Sequence, residues 1–563
     1  MLNKVFASRG LALLLAAAAA AIAGDARAVG TRMFQLESLD DFKGGDLTGV
    51  SIDSNGYVRA GLNLGATPMP DAAAVWSAVE APDGSVLLGT GNDGKVFRAN
   101  GGRVDLVATT GEMAVSAMAI GYGGDVFLGT FPDGKIFKIS ANAAGGAKAT
   151  VFATLTGEED IWSLAFDAKN KALYAATGPN GKLYRVDAQG HAQVYFDSKE
   201  PHLMSVAVAD DGTVYAGSQG KALLFRITGP GRATVVHHFD AEDVRAIAIA
   251  PASKGGAVYA IANKYGESFS APKRTKPGPP GPQPARSGKA GHGWLYRFGK
   301  DGVAEQLINS DESHLISLSL GDDGLPYVGT GVEGRVYTVD DNHVERLVAD
   351  TEERQVGALA MSGKRRFVAS SDPAVFHEVK GVGGPDAVWT SKVLDAGLRA
   401  RWGRLTWRSE GALEFSTRSG NTSTPDTTWS AWSAGLAAPG EAKAPEARYV
   451  QIRARWSRDP KATLHDVQLA FVTDNARAIV TSIEASGRAQ GKGTKPGIVA
   501  SGGEITKPSP TVKLTWKVDN VDQDELRYRL YFRLANQQTW RPILKPNEKL
   551  TSSSYDWDTS ALP

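Results

Sequence analysis

There is no cysteine among the 563 residues. This excludes disulfides, thiolate metal sites, cysteine nucleophiles and a lipid-modified N-terminal cysteine, so an exported chain of this kind must hold together by packing alone. Charge of either sign is not in excess: 62 Lys and Arg face 61 Asp and Glu, a net +1. That removes the bulk electrostatic case for binding nucleic acid or a membrane surface. After Ile22 no apolar run is long enough to cross a bilayer. The one early run, Leu11 to Ile22, is too short to span. It follows Lys4 and Arg9 and leads into Ala26-Arg27-Ala28, an A-x-A cleavage site. Residues 1–28 therefore read as a secretion signal rather than an anchor. No twin-Arg precedes the run, which favours general secretion. The expected address is the periplasm, surface or exterior of a bacterium.

What the chain has in abundance is one repeated phrase. The clearest copy is Val75-Trp76-Ser77-Ala78-Val79, then Asp83-Gly84-Ser85-Val86-Leu87-Leu88-Gly89-Thr90-Gly91, then Asp93-Gly94-Lys95-Val96-Phe97-Arg98. Two strand-like runs flank an Asp-Gly turn, and a Gly-Lys turn leads to a third. Further copies begin at Val115, Ile161, Leu203, Val244, Leu315 and Val356, about forty residues apart except after Val244, where an insertion lengthens the step. Runs such as Val104–Val107 and Gln193–Phe196 supply a fourth strand. Four strands per forty residues is the period of a β-propeller blade, which buries its faces only by packing radially on its neighbours. The reading is all-β: a seven-bladed propeller and two C-terminal β-sandwich domains, the last incomplete. Closure is expected to borrow a strand from the lead-in Leu47–Ile52.

In order, the expected organisation is a signal (1–28), a lead-in (29–70), the propeller (71–385), a sandwich (386–475), a Gly-, Lys- and Ser-rich linker (476–508) and a last partial module (509–563). One large insertion, Lys264 to Gly293, separates the second and third strands of the fifth copy. It carries six prolines with Lys273, Arg274, Lys276, Arg286 and Lys289, a composition that builds no core.

The repeats resemble bacterial extracytoplasmic propellers of the NHL, WD-like and quinoprotein-like kinds, through the Asp-Gly and Gly-Thr-Gly…Gly-Lys-Val-Phe-Arg phrases. Residues 387–475 resemble a discoidin- or galactose-binding-like jelly roll. The carrying residues are Trp402-Gly403, Thr417–Thr422 and Arg448-Tyr449-Val450-Gln451. The last segment is similar to a fibronectin type III module through Leu514-Thr515-Trp516 and Trp557-Asp558-Thr559, with the strands that usually follow missing from this sequence. These resemblances imply a surface or periplasmic binding or scaffolding protein. Its partner would be a protein or a polysaccharide, and no nucleic acid is expected.

Several residues could carry chemistry. Acids cluster just ahead of the first strand of most copies, where a propeller would gather them around the channel mouth. The candidate ring is Glu112, Glu159, Asp160, Glu200, His202, Asp243, Glu312, His314 and Glu353. Converging oxygens with His202 and His314 would suit a divalent cation such as calcium. The plainer reading, a solvated acidic face, is favoured, and no cofactor is firmly implied. A lactonase-like, metal-dependent hydrolase or lyase with its site in the mouth is the alternative. The first strands are otherwise bland apart from Glu80 and Arg245. Ser77, Ser116, Ser163, Ser205 and Ser317 read as one equivalent position, repeated too often to be a nucleophile and hence structural. Trp429 and Trp432 offer a third reading, sugar stacking by an adhesin, if both rings are exposed side by side. Strand alternation would equally place them in the core.

Overall fold

The computed structural model describes residues 31–265, 291–311, 313–384, 386–474, 478–486, 511–520, 525–534 and 537–560. Among them strand dominates, and the α-helix Leu39–Phe42 is four residues long. Residues 1–30, where a signal is expected, residues 266–290 of the insertion and most of the expected linker lie outside the described residues.

Each copy of the repeat folds as an antiparallel meander. In the first unit Val75–Glu80, Val86–Thr90, Lys95–Asn100 and Arg103–Thr109 pair in sequence order. The central strand Val86–Thr90 is buried on both faces, which is why it reads as an unbroken apolar run rather than an alternating one. Positive φ at Gly94, Gly134 and Gly181 makes the turn between the second and third strands, where a residue with a Cβ would be strained. The next units start with Ala114–Ile120, Asp160–Asp167, His202–Val208, Asp243–Ile249, Leu315–Leu320 and Gln355–Ala360. Each of these first strands touches the next, and Gln355–Ala360 touches Val75–Glu80, so they form a closed ring around a channel.

Closure uses the lead-in, though not the expected strand. The last unit supplies Gln355–Ala360, Phe367–Ser371 and Val375–Val382, and its fourth strand is Leu62–Pro68 from the N-terminal side. The strand Val50–Asp53 has a different task. It pairs with Val58–Ala60 on one side and with the outer strand Glu345–Asp350 of the sixth unit on the other. The swap follows from burial: Val50–Asp53 is buried at all four positions and needs cover on both faces, which an outer closing strand does not receive.

The same lead-in completes the domain after the ring. Arg32–Leu36 pairs with Thr463–Thr473, and Asp46–Thr48 pairs with Val388–Thr390. Val388–Thr390, Leu394–Glu410, Glu414–Gly420, Ala447–Arg455 and Thr463–Thr473 make the body of that domain. Its core holds Trp389 and Trp456, both fully buried, with Phe42, Phe415, Leu464 and Leu469. This core is continuous with Ile52 of the lead-in and with Leu347 and Leu315 of the sixth unit. The described C-terminal strands Ile479–Ser486, Thr511–Asp519 and Ser554–Asp558 form a separate sheet over Leu514, Trp516 and Leu550.

Candidate functional site at the channel mouth

Every first strand carries a β-bulge at the same place. The register slips between Val75 and Ser77, between Val115 and Ala117, and likewise in the other five units. A bulge leaves one residue unpaired and re-aims its side chain. The bulged residues are Trp76, Ser116, Trp162, Met204, Arg245, Ile316 and Gly357, and all seven line one cavity of about 620 Å3 at the channel mouth. That volume is in the range of small-ligand sites.

The position before each bulge pair and the one closing the second strand add to the wall. Asp243, His314 and Gln355 come from the first of these, Gln219 and Ser371 from the second, and Tyr265 enters from the base of the insertion. Glycines make room for three rings. A Cβ on Gly91 would meet the Trp76 indole at 2.6 Å, one on Gly178 would meet His202 at 1.8 Å, and one on Gly331 would meet His314 at 2.0 Å. The glycine after the repeated threonine, in Gly89-Thr90-Gly91, Ala176-Thr177-Gly178 and Gly329-Thr330-Gly331, is thus a space requirement of these rings.

The mouth is two-sided. On one side Trp76, Phe131, Trp162 and His202 form an arc, with successive ring centroids 5.5, 5.9 and 5.8 Å apart. Trp162 Nε1 donates to His202 Nδ1 at 3.0 Å. The other side is polar. Asp243 is buried, and Tyr265 OH and Asn263 Nδ2 donate to its two oxygens at 2.8 and 3.3 Å. Burial pushes the Asp243 carboxyl above its ordinary range, against the opposing pull of Arg245 and of those two hydrogen bonds. His314 stacks edge-on against Tyr265 at 5.3 Å. Burial, then the positive charges of Arg245 and Arg354, hold its imidazole below the usual value, which favours the neutral ring. Arg245 lines the cavity and makes no ion pair or hydrogen bond among the described residues.

The acids of the expected ring fall into distinct settings. Lys135 Nζ donates to Glu112 at 2.8 Å. The Lys221 N–H donates to Glu200 at 3.0 Å. Glu353 accepts from Ser370 Oγ and pairs with His377 Nε2, each at 2.9 Å. Glu158, one residue before the candidate pair, accepts from Thr177, Asn180 and Tyr184. These four carboxylates turn into the hairpin of their own unit, because its N–H and O–H groups satisfy a buried acid. Glu159 is exposed. Asp160 faces His202 Nδ1 at 3.8 Å, and burial raises its carboxyl. Asp243 and His314 line the cavity; Glu312 lies outside the described residues. Among the described residues no three His, Asp or Glu side chains stand together as a metal-ligand set.

The repeated serines are not all equivalent. Ser77, Ser163, Ser205 and Ser317 follow the bulge, whereas Ser116 is itself the bulged residue. Four of the five still reach the next unit with their hydroxyls: Ser77 to the Val115 carbonyl, Ser116 to Ile161, Ser205 to Val244 and Ser317 to Val356, at 2.5–2.9 Å. Ser163 Oγ instead accepts from the Val206 N–H at 3.2 Å.

In the following domain Trp429 and Trp432 are not an exposed pair. Trp429 is buried, and its Nε1 donates to Thr422 Oγ1 at 2.9 Å. Trp432 is half-buried, with the guanidiniums of Arg453 and Arg418 over its ring at 4.2 and 4.7 Å.

Sequence reasoning passed over Trp76, Trp162, Tyr265 and Asn263. The available signal was variation: this position changes from Trp to Ser, Met, Arg, Ile and Gly between copies, while the residue before it stays Val, Ile or Leu and the one after it Ser or Ala.

No family model matches this chain, and no curated protein matches it in sequence. Among solved structures it is similar to a streptogramin B lyase (TM-score 0.45, 11% identity, covering 56% of this chain and 97% of that one). It is also similar to the WD40 β-propeller domain of Doa1 (TM-score 0.44, 13% identity, 57% and 97%). A third is the extracellular domain of the hybrid two component system BT4673 from B. thetaiotaomicron (TM-score 0.41, 12% identity, 56% and 39%). The neighbours are β-propeller proteins, and no helix of the described residues is long and apolar enough to cross a membrane.

Proposed function

We propose that this chain is an exported bacterial binding protein, built on a seven-bladed propeller, that takes its ligand at the channel mouth. The jelly-roll and fibronectin type III-like modules would present that propeller to a protein or polysaccharide partner. The observation that carries the reading is the bulge ring. One position in every unit is re-aimed into a single cavity, and that position varies while the serine contacts around it recur. A scaffold for packing alone needs the recurring positions and has no use for the variable ones.

The test is a thermal-shift screen of small molecules on the full chain and on a Trp162→Ala variant. Compounds that stabilise the parent and lose that effect in the variant support the reading. Compounds that stabilise both equally place binding elsewhere and overturn it.

A second reading, a hydrolase or lyase working in the same cavity, is favoured by one observation: Asp243, Tyr265 and His314 meet there beside Arg245. A divalent cation such as calcium belongs to this reading. Equilibrium dialysis against calcium, with Asp243→Asn as the control, tests it. Stoichiometric uptake lost in the variant supports a metal at the mouth, and no uptake removes the metal-dependent form.

A further inference from the structure

We infer that the ligand of the mouth is a planar, aromatic carboxylate, its oxyanion seated on Arg245 and its ring against Trp76 and Trp162. The inference rests on the mouth being the binding site and adds the chemistry of what binds there.

The argument starts from charge. Among the described residues Asp243 is the one carboxylate lining the cavity and Arg245 the one guanidinium or ammonium group. They do not form an ion pair. Both Asp243 oxygens are already engaged by Tyr265 and Asn263, and Asn263 is fastened in turn to the Leu315 backbone at 2.8 and 2.9 Å. The carboxylate is thus fixed as part of the wall. Arg245 keeps a planar fork of donors with no acceptor among the described residues. A guanidinium so placed matches a carboxylate, which can take two parallel N–H bonds.

The second part is shape. Arg245 belongs to the fifth unit and the bulged tryptophans to the first and third, so cation and aromatic wall lie on different sides of the ring. Trp76 remains 38% exposed between the buried Val75 and Ser77, an open aromatic face at the cavity. Gly357, bulged in the seventh unit, contributes no side chain to the mouth. A compound with a flat apolar body and one oxyanion satisfies both walls at once. A cationic compound would meet Arg245, and a purely aliphatic acid would leave the indoles wet.

The experiment is isothermal titration of the full chain with three probes of one shape: indole-3-propionate, its neutral amide and tryptamine. The carboxylate should bind, the amide at least about tenfold more weakly, and tryptamine not at all. Arg245→Gln should remove the preference for carboxylate without unfolding the chain, because Arg245 makes no hydrogen bond among the described residues and acts on Asp243 through its charge. Trp162→Leu should weaken the carboxylate and the amide alike. Equal binding of acid and amide, unchanged by Arg245→Gln but lost in Trp162→Leu, overturns the carboxylate class and leaves the mouth as the site. No binding of any probe at millimolar concentration overturns both the class and the small-ligand reading of the mouth.

Discussion

The Val75 N–H donates to Ser371 Oγ at 2.9 Å across 296 residues of sequence, and that hydroxyl returns a bond to the Val75 carbonyl at 3.2 Å. This is where the first and last units meet. At most other junctions a serine of the first strand bridges to the next unit. Here Gly357 is the bulged residue, and a Cβ on it would stand 2.0 Å from the Val75 carbonyl oxygen. The bridging hydroxyl has moved to the end of the second strand. Asn263 makes the same substitution between the fifth and sixth units, where Ala246 stands in the serine's place.

Removing that bridge should loosen the ring at its seam. Ser371→Ala is expected to cost about 1–2 kcal/mol, since it leaves buried backbone groups of Val75 unpaired. Gly357→Ala should cost more, because its new methyl meets backbone that cannot move aside. Thermal unfolding followed by hydrogen exchange at Val75 checks both. Unchanged exchange at Val75 in Ser371→Ala would mean the seam is held elsewhere.

Glu353 and His377 should make the seventh unit acid-sensitive. Burial alone would raise the Glu353 carboxyl, but the hydrogen bond and charge of His377 and the Ser370 hydroxyl outweigh it and hold the group at about 2. A carboxyl depressed below its ordinary 4.5 stabilises the fold above that pH and loses the contribution as pH falls toward 2. Glu353→Gln is expected to lower stability by about 1–3 kcal/mol at neutral pH and to flatten the acid limb of a melting-temperature profile.

Glu345 should act with the opposite sign. Burial lifts its carboxyl to about 7, with Lys43 pulling the other way. The folded protein then holds this proton more tightly than the unfolded chain does. The contribution is fully present below pH 4.5 and is lost as pH rises through about 7. Glu345 lies on the outer strand that carries the lead-in. Glu345→Gln should therefore raise the melting temperature at pH 8 relative to the parent and leave it nearly equal at pH 4. An equal shift at both values would contradict this.

Trp429→Ala should act on stability before it acts on any ligand. The ring is buried over Gly420, whose Cβ would lie 2.4 Å from it, and truncating a buried tryptophan costs about 3–5 kcal/mol. Trp432→Ala should cost less, about 1–2 kcal/mol, from the lost stacking on Arg418 and Arg453. Glycan binding lost in Trp432→Ala with an unchanged melting temperature would show that this ring serves a sugar instead.

Asp243, His314 and His202 are candidates from their place ahead of the first strands; Asp243 and His314 line the cavity, and His202 packs against Trp162. The direction of each side chain was not legible. Glu112, Glu200 and Glu353 occupy the same stretch of their copies as His202 and His314, yet they turn away into a hairpin. The outcome depends on whether a partner such as Lys135 or His377 stands across that hairpin, which is a matter of three-dimensional proximity. Ser116 makes the same point in miniature. It sits in the repeated phrase like the other serines, but one place earlier relative to the bulge, and only pairing registers reveal a bulge.

The sequence by itself determined the repeat, its strands and turns, and the exclusion of disulfide and thiolate chemistry, because hydrophobic period, Gly turns and composition are local properties. Tertiary structure decided which lead-in strand enters the last unit, that the lead-in also completes the following domain, and that one bulged residue per unit faces the mouth. Those outcomes rest on contacts between segments up to hundreds of residues apart. Burial on both faces placed Val50–Asp53 inside a continuous sheet and left the closing position to Leu62–Pro68.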